Sequence, residues 1–378
     1  MDFTQLLKVM VDRGASDMFV TAEAQPSIKV DGTIKPLTRE SLTPAQSRAL
    51  VLSTMNDKQR AEFEATYECN FAISAGDLGR FRVSAFMQRN SPGMVLRRIH
   101  TEIPTLSELN LPQILADLSL TKRGLILFVG GTSTGKSTSL AAMIDHRNRN
   151  HRGHIITVED PIEYMHEHRQ SIITQREVGI DTESFEVALK NTLRQAPDAI
   201  LMGEIRSTDT MRYGLNFAET GHLCLATLHA NNANQALDRI INFFPADQHD
   251  QIWMDLSLNL KAVIAQQLLP AKDGKGRRAA IEILVNTPRV ADLIRQGNVH
   301  EIKEVMKKSA NAGMKTFDQA LFELYKADEV EYDVALKHAD SPNDLRLMIK
   351  LDGGNVPEGQ ESESSGLNLS LQDEREYL

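Results

Sequence analysis

Residues 130–137 read Gly130-Gly131-Thr132-Ser133-Thr134-Gly135-Lys136-Ser137, a G-x-x-x-x-G-K-S pattern. It follows an apolar run at 125–129 and opens a helix-like stretch at 138–144. A strand, a glycine-rich turn and a helix N-terminus in that order form a phosphate cradle. The glycines let backbone N–H groups close around phosphate oxygens, the lysine supplies charge to the β and γ phosphates, and the hydroxyl is offered to Mg²⁺. Residues Gly130, Gly131, Thr132, Ser133, Thr134, Gly135, Lys136, Ser137 and Thr138 are therefore expected to bind a nucleoside triphosphate, with Ser137 as a metal ligand.

The same motif constrains the fold. Apolar runs recur at 125–129, 154–158, 199–202 and 223–227, separated by helix-length segments, which predicts an α/β architecture with a mostly parallel sheet covered by helices. Each run ends in chemistry: the phosphate loop, then Glu159-Asp160-Pro161-Ile162-Glu163, then Gly203-Glu204-Ile205-Arg206, then Leu228-His229. Open α/β sheets place ligands at those carboxyl ends. Hydrolysis of a γ-phosphate needs positioned metal, an oriented water and positive charge. Glu204, at the end of a Walker B-like strand, is expected to order the metal's water shell and polarise the attacking water. Glu159, Asp160 and Glu163 form a second acidic cluster, with their roles left open between capturing water and holding a neighbouring loop. His222 and His229 bracket the fourth run; a regular strand puts them on the order of 20 Å apart, so His229 is the expected γ-phosphate sensor and His222 is assigned to a domain or subunit contact.

The first hundred residues look like a smaller α+β domain, with helices at 44–53 and 56–66 and paired strands at 80–87 and 94–99 around a turn at 90–93. Arg80 and Arg82 alternate along one of those strands and share a face, and Arg97 lies on the partner strand. Arginines on a domain separate from the nucleotide loop suggest charge supplied across an interface; a solvated sheet face is the plainer alternative. Arg194 and Arg206, which flank the third run, are alternative sensors. The expected organisation is an N-terminal domain at 1–100, a Pro-punctuated linker at 101–112, a nucleotide-binding domain with C-terminal helices at 113–345, and an acidic, disordered tail at 346–378. Within the C-terminal part, helices are expected at 247–269, 290–296, 301–308, 316–326 and 332–338, and a strand at 279–285.

Composition excludes several function classes. No apolar run approaches the roughly 20 residues of a membrane span, and the N-terminus lacks a basic, signal-like segment, so a cytoplasmic protein is expected. Cys69 and Cys224 form no C-x-x-C pair, which points to buried thiols and to no structural metal. The net charge of −9 argues against a stable nucleic-acid partner and hence against a DNA or RNA translocase. Much of that charge is local: residues 351–378 carry seven acidic side chains against Arg375 alone. With so little apolar surface, this tail cannot offset its ordering entropy, and Leu367, Leu369 and Leu371 are its candidate docking anchors.

Four signatures in this order resemble the secretion ATPases of type II secretion and type IV pili: the phosphate loop, the acidic box 159–163, the segment from Arg194-Gln195-Ala196-Pro197-Asp198 to Arg206, and the histidine box from Ala218-Glu219-Thr220-Gly221-His222 to His229-Ala230. The chain has no Cys-rich insert of the kind carried by assembly and secretion members, and its compact form resembles the pilus retraction ATPases of the PilT/PilU family. Ser133 in the loop, Met18-Phe19 after Asp17, Ser207 after Arg206 and the divergent stretch 289–296 point toward the PilU branch. The resemblance implies a RecA-like P-loop ATPase domain with a PAS-like N-terminal domain, ATP and Mg²⁺ as ligands, and a homohexamer at the cytoplasmic face of the inner membrane. Glu204 takes the Walker B role with the metal, Glu163 the acidic-box role and His229 the nucleotide-side histidine role, while Arg80, Arg82 and Arg97 reach a neighbour's site. It further implies pilus retraction and twitching motility, accessory to a principal retraction ATPase and working on an inner-membrane platform protein. A nucleotide-binding adaptor with weak hydrolysis is the alternative.

Overall fold

A computed structural model of the chain describes residues 3–30, 32–99 and 102–352. The N-terminal strands β1 (Asp17–Val20), β2 (Ser27–Val30), β3 (Thr33–Pro36), β4 (Glu68–Ser74), β5 (Arg80–Gln88) and β6 (Ser91–Ile99) form one sheet in the order β3-β2-β1-β6-β5-β4. Every pairing in it is antiparallel. Alternation along β5 buries Phe81, Val83 and Ala85, and turns Arg80, Arg82 and Ser84 to the opposite face. The buried face shares a core with Leu6, Leu7 and Met10 of the helix Phe3–Asp12, Leu50 and Val51 of Pro44–Ser53, and Phe63 of Asp57–Thr66. The last two helices begin with capping boxes, Thr43 with Gln46 and Asn56 with Gln59, which satisfy otherwise orphaned N–H groups. The β5–β6 turn is tighter than the sequence suggests. Gln88 already pairs with Ser91, and Arg89 and Asn90 take φ of 43° and 60°, the left-handed pair that a two-residue hairpin requires.

The second sheet contains β7 (Gly124–Val129), β8 (His154–Glu159), β9 (Ile172–Glu177), β10 (Ala199–Met202), β11 (Leu223–Leu228), β12 (Leu260–Pro270) and β13 (Arg277–Val285). Its order is β13-β12-β7-β11-β10-β8-β9, and the pairings from β12 through to β9 are parallel. All six residues of β7 are buried, as expected of a strand covered on both faces. The order β7-β11-β10-β8 lays four neighbouring carboxyl ends side by side, and the four polar segments follow directly from them.

Three segments differ from the sequence expectation. The helix expected at 247–269 is the helix His249–Asn259 followed by β12, because Leu260 and Ala262–Ala265 fill a buried strand slot beside β7; a buried apolar run carries no period that separates helix from strand. Strand β9 has no apolar signature, since its second half reads Thr174-Gln175-Arg176-Glu177. Residues 346–351, assigned to the tail, belong to the helix Pro342–Leu351, which buries Leu345 and Ile349. The disordered-tail expectation otherwise falls on 353–378, outside the described residues.

The chain divides into two compact units, Met1–Leu269 with Ala279–Thr316, and Pro270–Arg278 with Phe317–Leu378. In the second unit, Asp318 Oδ1 accepts the N–H groups of Asp340 and Ser341 at 2.9 and 3.1 Å, and Ser341 caps the helix that follows. Among the described residues no helix is long and apolar enough to cross a membrane.

Candidate active site

The phosphate loop runs from the end of β7 into the helix Lys136–Asn150. Gly130 takes φ +156°, and a Cβ there would lie 2.6 Å from Thr134 Oγ1 and 2.7 Å from the Gln266 carbonyl oxygen, so only glycine fits. Gln266, buried on β12, also accepts a 2.8 Å hydrogen bond from Ser139 and so backs the loop from behind. Thr134 Oγ1 donates to the Gly131 carbonyl at 3.0 Å. Lys136 Nζ lies within the loop, donating to the Gly130 and Gly131 carbonyls at 2.9 and 2.6 Å. Burial holds its pKa below the usual lysine range, against the opposing pull of Glu204 and Glu163.

Glu204 lines the same cavity as the loop. Its Oε1 lies 3.2 Å from His229 Nε2, and its Oε2 accepts from Arg206 Nε at 2.7 Å. The turn that presents it is stitched to both neighbouring strands: Gly203 N–H donates to Val158 at 2.7 Å and Ile205 N–H to Thr227 at 2.8 Å. A Cβ on Gly203 would come within 3.1 Å of the Glu159 Cα, so close packing of the two strand tips explains this glycine. Ser207, next along, caps the helix Thr208–Glu219 in a capping box with Thr210.

Glu159 ends β8. Its Oε1 accepts from Thr157 at 2.6 Å and from Gln175 at 3.2 Å. Burial nevertheless raises its pKa from 4.5 to about 7, and the charge of Glu163 adds to the rise. His166 is driven the other way by burial, to about 4, so it is neutral at physiological pH. The peptide bond Asp160–Pro161 is cis.

Lys136, Ser137, Thr132, Ser133, Glu159, Asp160, Glu163, Glu204 and His229 all line one cavity of ≈ 240 Å³. Four segments far apart in sequence thus converge there. Arg206 lines it too, 3.9 Å from Asp160, which favours it over Arg194 as the cation of this wall. Tyr164, His166 and Phe185, which were not among the candidate site residues, also line it; the Tyr164 hydroxyl lies 2.9 Å from that of Thr138. His222 lies at the other end of β11, near the Phe217 carbonyl at 3.3 Å.

The three N-terminal arginines do not line this cavity. Arg80 Nη2 lies 3.8 Å from the buried Glu177 at the end of β9. Arg97, opposite both Arg82 and Asp17 in the sheet, forms a 2.8 Å ion pair with Asp17. Arg82 lines a separate depression with Asp160 and Glu177. The segment Gln175-Arg176-Glu177-Val178-Gly179 belongs to the family resemblance, but the sequence assigns no site role to Gln175 or Glu177, because their partners are fixed only when β9 docks beside β8.

A phosphate loop facing a carboxylate held by a histidine and an arginine is the apparatus of a nucleotide hydrolase. Residues 2–329 match the family described as type II/IV secretion system protein. The chain belongs to this family. Over 374 residues it is 64% identical to the type IV pilus ATPase PilU of Pseudomonas aeruginosa, covering 99% of this chain and 98% of that protein. Identity to the type IV pilus retraction ATPase PilT of the same organism is 40% over 345 residues, 91% of this chain and 100% of the relative. The crystal structure of the pilus retraction motor PilT with bound ADP superposes with a TM-score of 0.87 at 39% identity, covering 92% of this chain and all of that one. This secretion ATPase therefore combines a RecA-like nucleotide-binding domain with a smaller N-terminal α+β domain, within the PilT/PilU group.

Proposed function

We propose that the chain is an ATP-hydrolysing motor subunit for type IV pilus retraction and twitching motility, accessory to a principal retraction ATPase. The observation that carries its hydrolytic part is the carboxylate of Glu204, held by His229 at 3.2 Å and Arg206 at 2.7 Å in the cavity that Lys136 also lines, and the similarity to PilU and PilT supports its pilus part. The chemistry then follows from positioning and electrostatics. Loop N–H groups and the helix N-terminus bind the triphosphate, and phosphate oxygens take the place of the Gly130 and Gly131 carbonyls at Lys136 Nζ. Glu204 orients the attacking water, with both of its oxygens already fixed in direction, while His229 senses the γ-phosphate and Arg206 offsets developing charge.

The hydroxyl of Ser137 and the carboxylate of Glu204 are hard oxygen donors on the same cavity, a set that fits Mg²⁺. When bound, the ion neutralises charge on the β and γ phosphates. In this reading Arg80, Arg82 and Arg97 serve a neighbouring subunit's site in a homohexamer, whose N-terminal and ATPase domains rotate against each other to drive an inner-membrane platform protein at the cytoplasmic face. Glu163 completes the acidic wall.

Purified protein is expected to hydrolyse ATP, with Lys136→Ala abolishing binding and turnover and Glu204→Gln abolishing turnover alone. Absence of any activity removable by these substitutions refutes the motor reading. Pilus retraction force in cells lacking this protein, with and without the principal motor, separates an accessory motor from an independent one.

A further inference from the structure

Gln175, on β9, hydrogen-bonds to three residues that line the cavity. Its Nε2 donates to Glu159 Oε1 at 3.2 Å and to the Tyr164 carbonyl at 2.9 Å, and its Oε1 accepts the His166 N–H at 2.8 Å. Glu159, Tyr164 and His166 all line the nucleotide cavity. The amide has two N–H donors, and both are used; exchanging its nitrogen and oxygen would set an oxygen against a carboxylate and a carbonyl and a donor against an N–H. One orientation alone satisfies all three partners, and it is set by the acidic-box segment that the amide braces.

That segment needs bracing. Between β8 and β9 the chain runs from Asp160 to Ser171 with no regular structure beyond an isolated bridge, so its own backbone fixes little of its shape. Beside Gln175 in sequence, Glu177 accepts the Ile162 N–H at 3.4 Å, but Gln175 reaches further along the segment and is the residue of β9 that touches the Glu159 carboxylate.

We propose that Gln175 is a positioning residue for nucleotide hydrolysis, acting through Glu159 and through the backbone at Tyr164 and His166. It touches no reacting atom itself. Removing its amide loosens the hold of β9 on Glu159, Tyr164 and His166, while the phosphate loop, built on β7 and backed by β12, stays in place. Turnover then falls and nucleotide binding does not. The proposal rests on the ATPase reading above.

The test measures ATP turnover and equilibrium binding of a fluorescent ADP analogue for the full chain, Gln175→Ala, Glu159→Gln and the double variant. Misplacing groups at a reacting centre costs about ten- to a hundred-fold, and that loss of kcat is expected for Gln175→Ala with the binding constant changed by less than about twofold. Because the two residues act as one unit, the double variant is expected to be no slower than the slower single variant. Should the alanine variant fold poorly, Gln175→Glu keeps the volume and the acceptor for His166 while losing both donors, and the same loss of kcat is expected of it. Full turnover in either folded variant, equal losses in turnover and binding, or losses that multiply in the double variant overturn the proposal. An unmodified chain without turnover overturns the ATPase reading instead, and this inference with it.

Discussion

Arg80 on β5 and Glu177 at the end of β9 meet within one chain, with 3.8 Å between guanidinium and carboxylate. Glu177 is buried, and burial raises its pKa, with Arg80 as an opposing charge. The same carboxylate accepts the Ile162 N–H of the acidic box. One ion pair therefore ties the N-terminal sheet to the segment that lines the nucleotide cavity.

Breaking this pair from the two ends has unequal consequences. Arg80→Ala leaves a buried carboxylate without its cation and is expected to destabilise the protein by about 1 to 3 kcal/mol. Glu177→Gln should cost less, and adding it to Arg80→Ala should restore part of the loss. Chemical denaturation of the three variants measures the cycle; an Arg80→Ala variant that is not helped by Glu177→Gln refutes the coupling.

The two contacts on Glu204 can be separated by substitution. His229→Ala and Arg206→Ala each release one oxygen of the carboxylate. Each is expected to lower kcat by roughly ten- to a hundred-fold, with the KM for ATP changed far less because Lys136 and the loop are untouched. Steady-state kinetics checks this, and a change confined to KM argues against a role in aligning Glu204.

Glu159 should make stability depend on pH in an unusual direction. Its pKa is raised from 4.5 to about 7, so the folded protein holds this proton more tightly than the unfolded chain. As pH rises through that window, unfolding releases the proton and stability falls. Glu159→Gln removes the effect: the variant should match the parent near pH 4.5 and exceed it by up to about 3 kcal/mol above pH 7. Thermal melts at the two pH values decide, and a gap that is constant with pH contradicts the assignment.

Ser133 takes φ +62°, a left-handed conformation that favours glycine. Ser133→Gly is expected to raise stability by under about 1 kcal/mol, since relief of strain in the folded loop outweighs the added freedom of the unfolded chain. Differential scanning fluorimetry at fixed nucleotide concentration measures it; a lower melting temperature means the serine side chain compensates for its own strain.

The phosphate loop, the acidic box, Glu204 and His229 were legible because each directly follows a buried strand, and strands buried on both faces write themselves as short runs of apolar residues. The alternation Phe81, Val83, Ala85 against Arg80, Arg82 likewise announced a one-sided sheet. What the one-dimensional pattern could not carry was pairing. Leu260–Pro270 reads equally as helix or buried strand, and only the open slot beside β7 makes it a strand. Strand β9 is polar over its second half, so no apolar run marks it as a strand, yet its docking beside β8 is what brings Gln175 to Glu159 and Glu177 to Arg80. Local sequence thus determined which chemistry stands at each strand end, because backbone preference and burial act over a few residues. The tertiary structure decided which of those ends are neighbours and which side chains hold them, because hydrogen bonds and ion pairs between strands depend on sheet order, a property of the whole chain.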